Sequence, residues 1–264
     1  PALDIDTIPP PARHLLGARR YYSPSDARPM TMITTQRGCP YRCGYCHHSS
    51  PPVRAAFPLR QRSVDAVVEE LAQVTRQTEI RYFEFTDDTF TSNRERVHAF
   101  CEAVRHAGIK IEWGCDSRAN LLDRELLSSM RAAGCRKLAI GVETASEAVR
   151  HGMRKMVDDQ EIRATLDTCR EVGIETMANF IFGLPGETAQ ELEQTIRFAL
   201  ELRPNYVEFH IALTLSHTPL FDEALALGMI EEDVYDRFMR GEVPFPVFVP
   251  RGLDMESLQR KDLE

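Results

Sequence analysis

Several features are missing from this sequence, and each absence narrows the reading. There is no excess of basic charge: 32 Lys and Arg face 40 Asp and Glu, a net of −8. That balance argues against a nucleic-acid surface held by general electrostatics, while leaving room for a small basic pocket. No apolar run approaches the ~20 residues of a membrane span, and no secretory signal is present. The seven cysteines are odd in number and form no spaced framework, which suits a reducing cytoplasm rather than a disulfide scaffold. No Gly-rich phosphate turn follows the first predicted strand, as a doubly wound nucleotide-binding sheet would normally have. The length of 264 residues, with 43% hydrophobic and 27% charged, suits one large α/β domain or two small ones.

What the chain does have is concentrated in residues 36 to 48, Gln-Arg-Gly-Cys-Pro-Tyr-Arg-Cys-Gly-Tyr-Cys-His-His. Cys39, Cys43 and Cys46 stand there with C-x3-C-x2-C spacing. Three thiolates in one short loop are a metal-binding arrangement. A structural zinc site usually asks for a fourth N or S ligand. A cubane iron–sulfur cluster is normally held by four thiolates, so three would leave one iron open to a reacting ligand. A zinc knuckle, or three cysteines buried separately, is the alternative. Cys101, Cys115, Cys135 and Cys169 are scattered, and Cys101 and Cys169 fall on apolar faces of predicted helices.

Pro1 to Pro29 is proline-rich, without a clear period, and reads as a leader or linker wrapped on a surface. Regular pattern begins at Met30. Strands are expected at Met30–Thr35, Ile80–Phe85, Ile109–Cys115, Arg136–Val142, Ile174–Phe182 and Tyr206–Leu213. Helices fall between successive strands, with start signals at Ser63, Ser92/Glu95, Asp123, Asp158/Glu161 and Thr188/Glu191. Pro51 to Pro58 is expected as loop. Repeated β-α units predict a parallel sheet with right-handed crossovers. Six such units predict an α/β fold of the partial (β/α)6 TIM-barrel type, with an open doubly wound sheet as the alternative. The barrel is expected over 30–223, and 224–264 is expected to be irregular. The absence of a starting methionine and the charged, unstopped end read as cuts in a longer protein.

In parallel barrels, function gathers where strands end. The unusual polar clusters of this sequence lie at such ends: the cysteine loop, Thr86-Asp87-Asp88, Ser117-Arg118, Glu143-Thr144, Gly183 to Glu187, and His210 to His217.

The cysteine spacing, with Gly38, Pro40 and Tyr45 around it, resembles the radical S-adenosylmethionine (radical SAM) enzymes. The resemblance implies a [4Fe–4S] cluster on Cys39, Cys43 and Cys46. The fourth iron would be chelated by the amine and carboxylate of S-adenosylmethionine. Reductive cleavage would then give a 5′-deoxyadenosyl radical. It also implies roles for other residues: Thr86, Asp87 and Asp88 at the methionine amine, Glu143 at the ribose, and Arg118 or Lys155 at the methionine carboxylate. Gly183, with Gly186, would allow close backbone approach to the adenosyl group, and Tyr45 would lie beside the adenine. His47, His48, His210 and His217 are candidates for substrate contact or proton handling, with a structural histidine as the alternative, so no residue is assigned as catalytic. For Asp87 and Asp88 the alternative is a turn start, for Glu143 a surface carboxylate, and for Arg118 and Lys155 an ordinary exposed cation.

Phe83 to Asp88, Gly141 to Thr144, Phe182 to Glu187 and the leader at Pro9 to Leu16 look like the cobalamin-dependent group of that family. This implies a cobalamin-binding domain on the same full-length chain, a small-molecule substrate, and an electron donor such as flavodoxin or ferredoxin. Three readings stay open: a cobalamin-dependent methyltransferase, a radical SAM cyclase or rearrangement enzyme without methyl transfer, and a non-enzymatic zinc-binding interaction module.

Overall fold

The computed structural model describes residues 4–16, 21–23, 27–250, 252–254 and 256. The leader holds two 3-10 turns, Ile5–Thr7 and Arg13–Leu16, then strand β1 (Tyr21–Tyr22), antiparallel to β2 (Pro29–Ile33). It is anchored by polar bonds. Both Asp6 carboxylate oxygens accept the Ser63 N–H at 3.0 Å, and Arg13 pairs with the buried Glu70 at 2.7 Å. The leader's residues 1–3, 17–20 and 24–26 lie outside the described residues.

After β2, β3 (Gln36–Arg37) pairs with β4 (Arg60–Gln61) as a small antiparallel ribbon. Between them in sequence lies helix α1 (Pro51–Ala56), where the sequence predicts loop. Pro51 and Pro52 occupy the first turn, whose N–H groups have no intrahelical partner, so proline there starts a helix instead of blocking it. Helix α2 (Val64–Gln77) is capped as predicted by Ser63, and β5 (Tyr82–Phe85) follows.

Helix α3 (Arg94–His106) departs from its predicted cap. Asn93, not Ser92, accepts from the N–H three residues on. Ser92 closes a 3-10 turn and sends its hydroxyl to Gln36 Oε1 at 3.3 Å. Strand β6 (Glu112–Ser117), helix α4 (Arg124–Ala132) with its Asp123 cap, and β7 (Cys135–Glu143) match expectation.

Helix α5 (Glu147–Gly152) has too few residues to show a period and is not predicted. Helix α6 (Asp159–Val172) opens on reciprocal bonds between Asp158 and Glu161. Strand β8 (Glu175–Phe182), helix α7 (Ala189–Leu202) with its Thr188/Glu191 capping box, and β9 (Tyr206–Ile211) complete the predicted series. Helices α8 (Pro219–Ala226) and α9 (Val234–Met239) follow. The segment expected to be irregular therefore holds a helix, and Val247 bridges back to Leu213.

The seven-stranded sheet has the order β1-β2-β5-β6-β7-β8-β9. Pairs β2/β5, β5/β6, β6/β7 and β8/β9 are parallel. After the antiparallel edge the order follows the chain without reversing. A doubly wound sheet reverses at its switch point, so this is the α/β winding of a partial (β/α)6 barrel.

Two compact units divide the chain. The first comprises residues 1–39, 58–140 and 165–176. In it, Phe85, Phe90, Phe100 and Trp113 form one aromatic cluster, with Phe85 stacked on Trp113 at 5.2 Å and Phe100 edge-on to Trp113 at 5.6 Å. Such offset and edge contacts add to area burial, and they fix β5 and β6 against α3. The second comprises 40–57, 141–164 and 177–264. Its core joins Val149, Met153, Leu184, Ala212, Leu220, Ala224 and Phe248, with Tyr45 packed against it.

Candidate active site

In the first unit, the end of β2 runs into the cysteine loop through Thr34, Thr35 and Gln36, and its course is set by Asp87. The Asp87 carboxylate is fully buried and accepts the N–H groups of Thr35 at 2.7 Å and Gln36 at 2.9 Å, together with the Thr35 hydroxyl. Burial pushes the Asp87 carboxyl up, against these hydrogen bonds and the charge of Arg96, which pull it down. Arg96 holds the same turn from the carbonyl side, donating to Thr35 O at 3.2 Å and Arg62 O at 3.2 Å. The Gln36 amide donates to Thr89 O at 2.7 Å and accepts from Gln61 at 3.0 Å. Thr89 Oγ1 lies 3.5 Å from Cys39 Sγ.

Of the triplet after β5, then, Asp87 is spent on shaping the loop, a use the sequence reading did not foresee. Thr86 and Asp88 are exposed, and Thr86 Oγ1 meets Thr34 Oγ1 at 2.9 Å. Arg118 is buried, not an exposed cation, and its Nε reaches Asn120 Oδ1 at 3.4 Å.

In the second unit, Glu143 ends β7 with φ +74° and is buried. Left-handed backbone in a residue with a side chain is costly and recurs at functional sites. Glu143 Oε1 accepts from Tyr45 OH at 2.8 Å and from Lys155 Nζ at 2.6 Å. Gly141 makes this possible: a Cβ there would lie 2.3 Å from Glu143 Oε1 and 2.6 Å from Lys155 Nζ. Burial first, then the charge of Glu143, raises the Tyr45 phenol well above its ordinary value. Tyr45 and Glu143 are thus brought together, and Lys155 joins them as a buried partner rather than as a surface cation.

The middle of the cysteine loop is tied down on main-chain atoms. Gly44 N–H donates to Met153 O at 2.7 Å, and Gly44 O accepts from Leu220 N–H at 3.2 Å. A Cβ at position 44 would come within 3.3 Å of Met153 Sδ. The loop then turns through Cys46 N–H to Cys43 O at 2.9 Å. His47 and His48 pack ring to ring at 4.1 Å.

Gly183 has φ +85°, and its N–H donates to Glu187 Oε2 at 2.7 Å; the Leu184 N–H adds a second bond at 3.2 Å. Thr144 donates to Glu187 Oε1 at 2.8 Å. Burial pushes the Glu187 carboxyl up to about 7 against these donors. Arg150, fully buried, donates to Val157 O at 3.0 Å and to Thr144 O, and pairs with Asp159. Glu187 and Arg150 support the loops after β8 and β7. Sequence reading left both without a role, although Glu187 stood inside the turn it singled out. His210 and His217 are exposed, and His210 lies 3.6 Å from Glu208.

The donor chemistry of the loop fits a metal cluster. Cys43 is buried, and Cys39 and Cys46 are partly exposed, none in a disulfide. The other four cysteines behave as packed hydrophobes. Burial pushes Cys101 and Cys169 up to about 12, and Cys115 and Cys135 well above the usual thiol value. Thiolates are the ligand form, so Cys39, Cys43 and Cys46, close together in one loop, are the cysteines suited to iron.

Known proteins share the fold and the family signature of this chain. Over 227 residues the chain is 32% identical to an uncharacterised methyltransferase of Pyrococcus horikoshii, covering 86% of this chain and 48% of that protein. It is 29% identical to the anaerobic magnesium-protoporphyrin IX monomethyl ester cyclase of Cereibacter sphaeroides, over 97% of this chain and 41% of that one. The chain spans about half the length of these curated relatives, or somewhat less. The fold matches the radical S-adenosylmethionine methyltransferase TsrM of Kitasatospora setae, solved with cobalamin and a [4Fe–4S] cluster, at a TM-score of 0.66 and 22% identity. That match covers 76% of this chain and 37% of the other. The profile of the Radical SAM superfamily matches residues 33–199, well over half of the chain, and with the thiol loop set at the head of a partial barrel, the chain belongs to that superfamily.

Proposed function

We propose that the full-length protein is a cobalamin-dependent radical SAM methyltransferase, acting on a small molecule. The observation that carries the reading is the thiol loop, with the buried Glu143–Lys155 pair and the half-buried Tyr45 bonded to it in the same unit as Cys43 and Cys46. Cys39, Cys43 and Cys46 would hold a [4Fe–4S] cluster, which would supply an electron and an open coordination position to S-adenosylmethionine.

The chain's own residues bind and orient. Glu143 accepts the ribose hydroxyls, and Lys155 holds that carboxylate in place. Tyr45 donates to the same Glu143 oxygen as Lys155 and packs beside the adenine. Gly183 brings backbone close to the adenosyl group, on a turn that Glu187 braces. Thr86 and Asp88 offer oxygens to the methionine amine, and Asp87 keeps the loop before them in shape. Arg118 offers its planar fork to the methionine carboxylate.

Residues 1–29 serve as leader, 30–223 as catalytic barrel and 224–264 as an extension. A cobalamin-binding domain stands on the same full-length chain, and a flavodoxin or ferredoxin supplies electrons. No helix among the described residues is long and apolar enough to cross a membrane, and the cysteines, outside any disulfide, suit the reducing cytoplasm. A second reading, a cyclase without methyl transfer, draws support from the cyclase relative matched along 97% of the chain.

Anaerobic reconstitution tests the common part, with about four irons per chain expected; zinc at one per chain would favour a binding module. Product analysis separates the two enzyme readings: methylated product with S-adenosylhomocysteine marks methyl transfer, and its absence beside 5′-deoxyadenosine marks the cyclase.

A further inference from the structure

We infer that Thr89 is a tuning residue for the cluster, donating its hydroxyl hydrogen bond to the thiolate of Cys39. The inference rests on the cluster reading above and assigns a role that the cysteine spacing does not contain.

Thr89 is 3% exposed, and its Oγ1 stands 3.5 Å from Cys39 Sγ, within range for a bond to sulfur. Its place is fixed from behind. Gln36 Nε2 holds Thr89 O at 2.7 Å, and Gln36 Oε1 is itself held by Gln61 and Ser92. The hydroxyl has one proton and two acceptors within reach, Cys39 Sγ and its neighbour's carbonyl, Asp88 O, at 2.6 Å. A cysteine bound to iron is a thiolate and accepts only. Hydrogen bonds to an anion are roughly twice as strong as those to a neutral acceptor, so the hydroxyl turns to sulfur once Cys39 is a ligand. Burial of Thr89 limits the water that competes for its hydroxyl.

A donor on a ligand sulfur stabilises the more negative, reduced cluster, so it raises the reduction potential. The hydroxyl donor on Cys39 is supplied by the strand-end segment that also contains Asp87.

The test compares the full-length protein with Thr89→Val, Thr89→Ala and Thr89→Ser, each reconstituted anaerobically, by iron content and by the midpoint potential of the cluster. Val and Ala are expected to keep the iron of the parent while the midpoint moves to more negative potential, and Ser, which keeps the hydroxyl, is expected to restore it. A midpoint unchanged in Val and Ala overturns the inference and leaves the cluster reading standing. Loss of iron from both variants also overturns it, because Thr89 would then be structural. Failure of the parent to hold iron overturns the cluster reading, and this inference with it.

Discussion

Lys155 places its Nζ 2.6 Å from Glu143 Oε1, and both side chains are almost wholly withdrawn from water. The ion pair binds the segment after α5 to the end of β7, and it makes Glu143 dependent on a residue twelve positions away. Removing one partner of a buried pair strands the other, at a cost of about 3–5 kcal/mol. Lys155→Met is therefore expected to lower stability by that order in urea unfolding, and to weaken S-adenosylmethionine binding in equilibrium titration. Unchanged values in both would show that Glu143 stands without it.

Gly141→Ala puts a methyl group where the Glu143 carboxylate lies, 2.3 Å from Oε1. The Glu143 carboxylate must move away, and with it the Lys155 ammonium, whose Nζ would stand 2.6 Å from the added carbon. We expect cofactor affinity to fall at least tenfold while iron content holds. Calorimetric titration of the reconstituted variant checks this, and parent-like affinity would remove Glu143 from the binding site.

Asp87→Ala strips the acceptor from the N–H groups of Thr35 and Gln36, which sit in a buried turn. Each orphaned donor costs about 1–3 kcal/mol. The variant should melt lower and take up less iron, since the entry to the cysteine loop loses its mould. If iron uptake is normal despite a lower melting temperature, Asp87 supports the fold but not the loop.

Stability should depend on pH through Glu187. Its carboxyl is raised from an ordinary 4.5 to about 7 in the folded chain. Below pH 4.5 both states carry the proton. Between these values the folded state keeps it and the unfolded state releases it, so the stabilisation is lost as pH rises, by on the order of 3 kcal/mol at pH 7 and above. Glu187→Gln, which keeps an acceptor for Gly183 and Leu184, should flatten the slope between pH 4.5 and 7 in denaturation curves. A slope unchanged in the variant would assign it to another group.

Cys43→Ala should abolish both the iron–sulfur absorbance and 5′-deoxyadenosine formation. Product formation that survives the substitution would remove Cys43 from the ligand set.

Legibility in the sequence followed the range of the interactions. The six parallel strands could be read because each is a short run rich in β-formers closed by a turn, and α7 because Thr188 and Glu191 cap it within one turn of chain. The cysteine loop was legible for the same reason, since its chemistry is written in eight consecutive residues, Cys39 to Cys46. Asp87, Lys155 and Glu187 were harder. Their positions at strand ends or in loops were visible, but their partners, Thr35, Glu143 and Thr144, lie tens of residues away or on another turn, and no local pattern announces such a bond. Helix α1 was missed because two prolines forbid a helix interior and permit a first turn, a distinction that depends on where the helix starts. The Ser92 cap failed because Gln36, 56 positions earlier, claims that hydroxyl.

Gly44 is moored on both its amide and its carbonyl, to Met153 and Leu220, and every atom in those two bonds belongs to the main chain. Side chains at 153 and 220 can consequently drift over evolutionary time, within the room available, without slackening the tether. Because both side chains belong to the core of the second unit, a library that varies them among apolar residues of similar volume should recover many functional members, whereas proline at 44, which deletes the amide proton, should yield none.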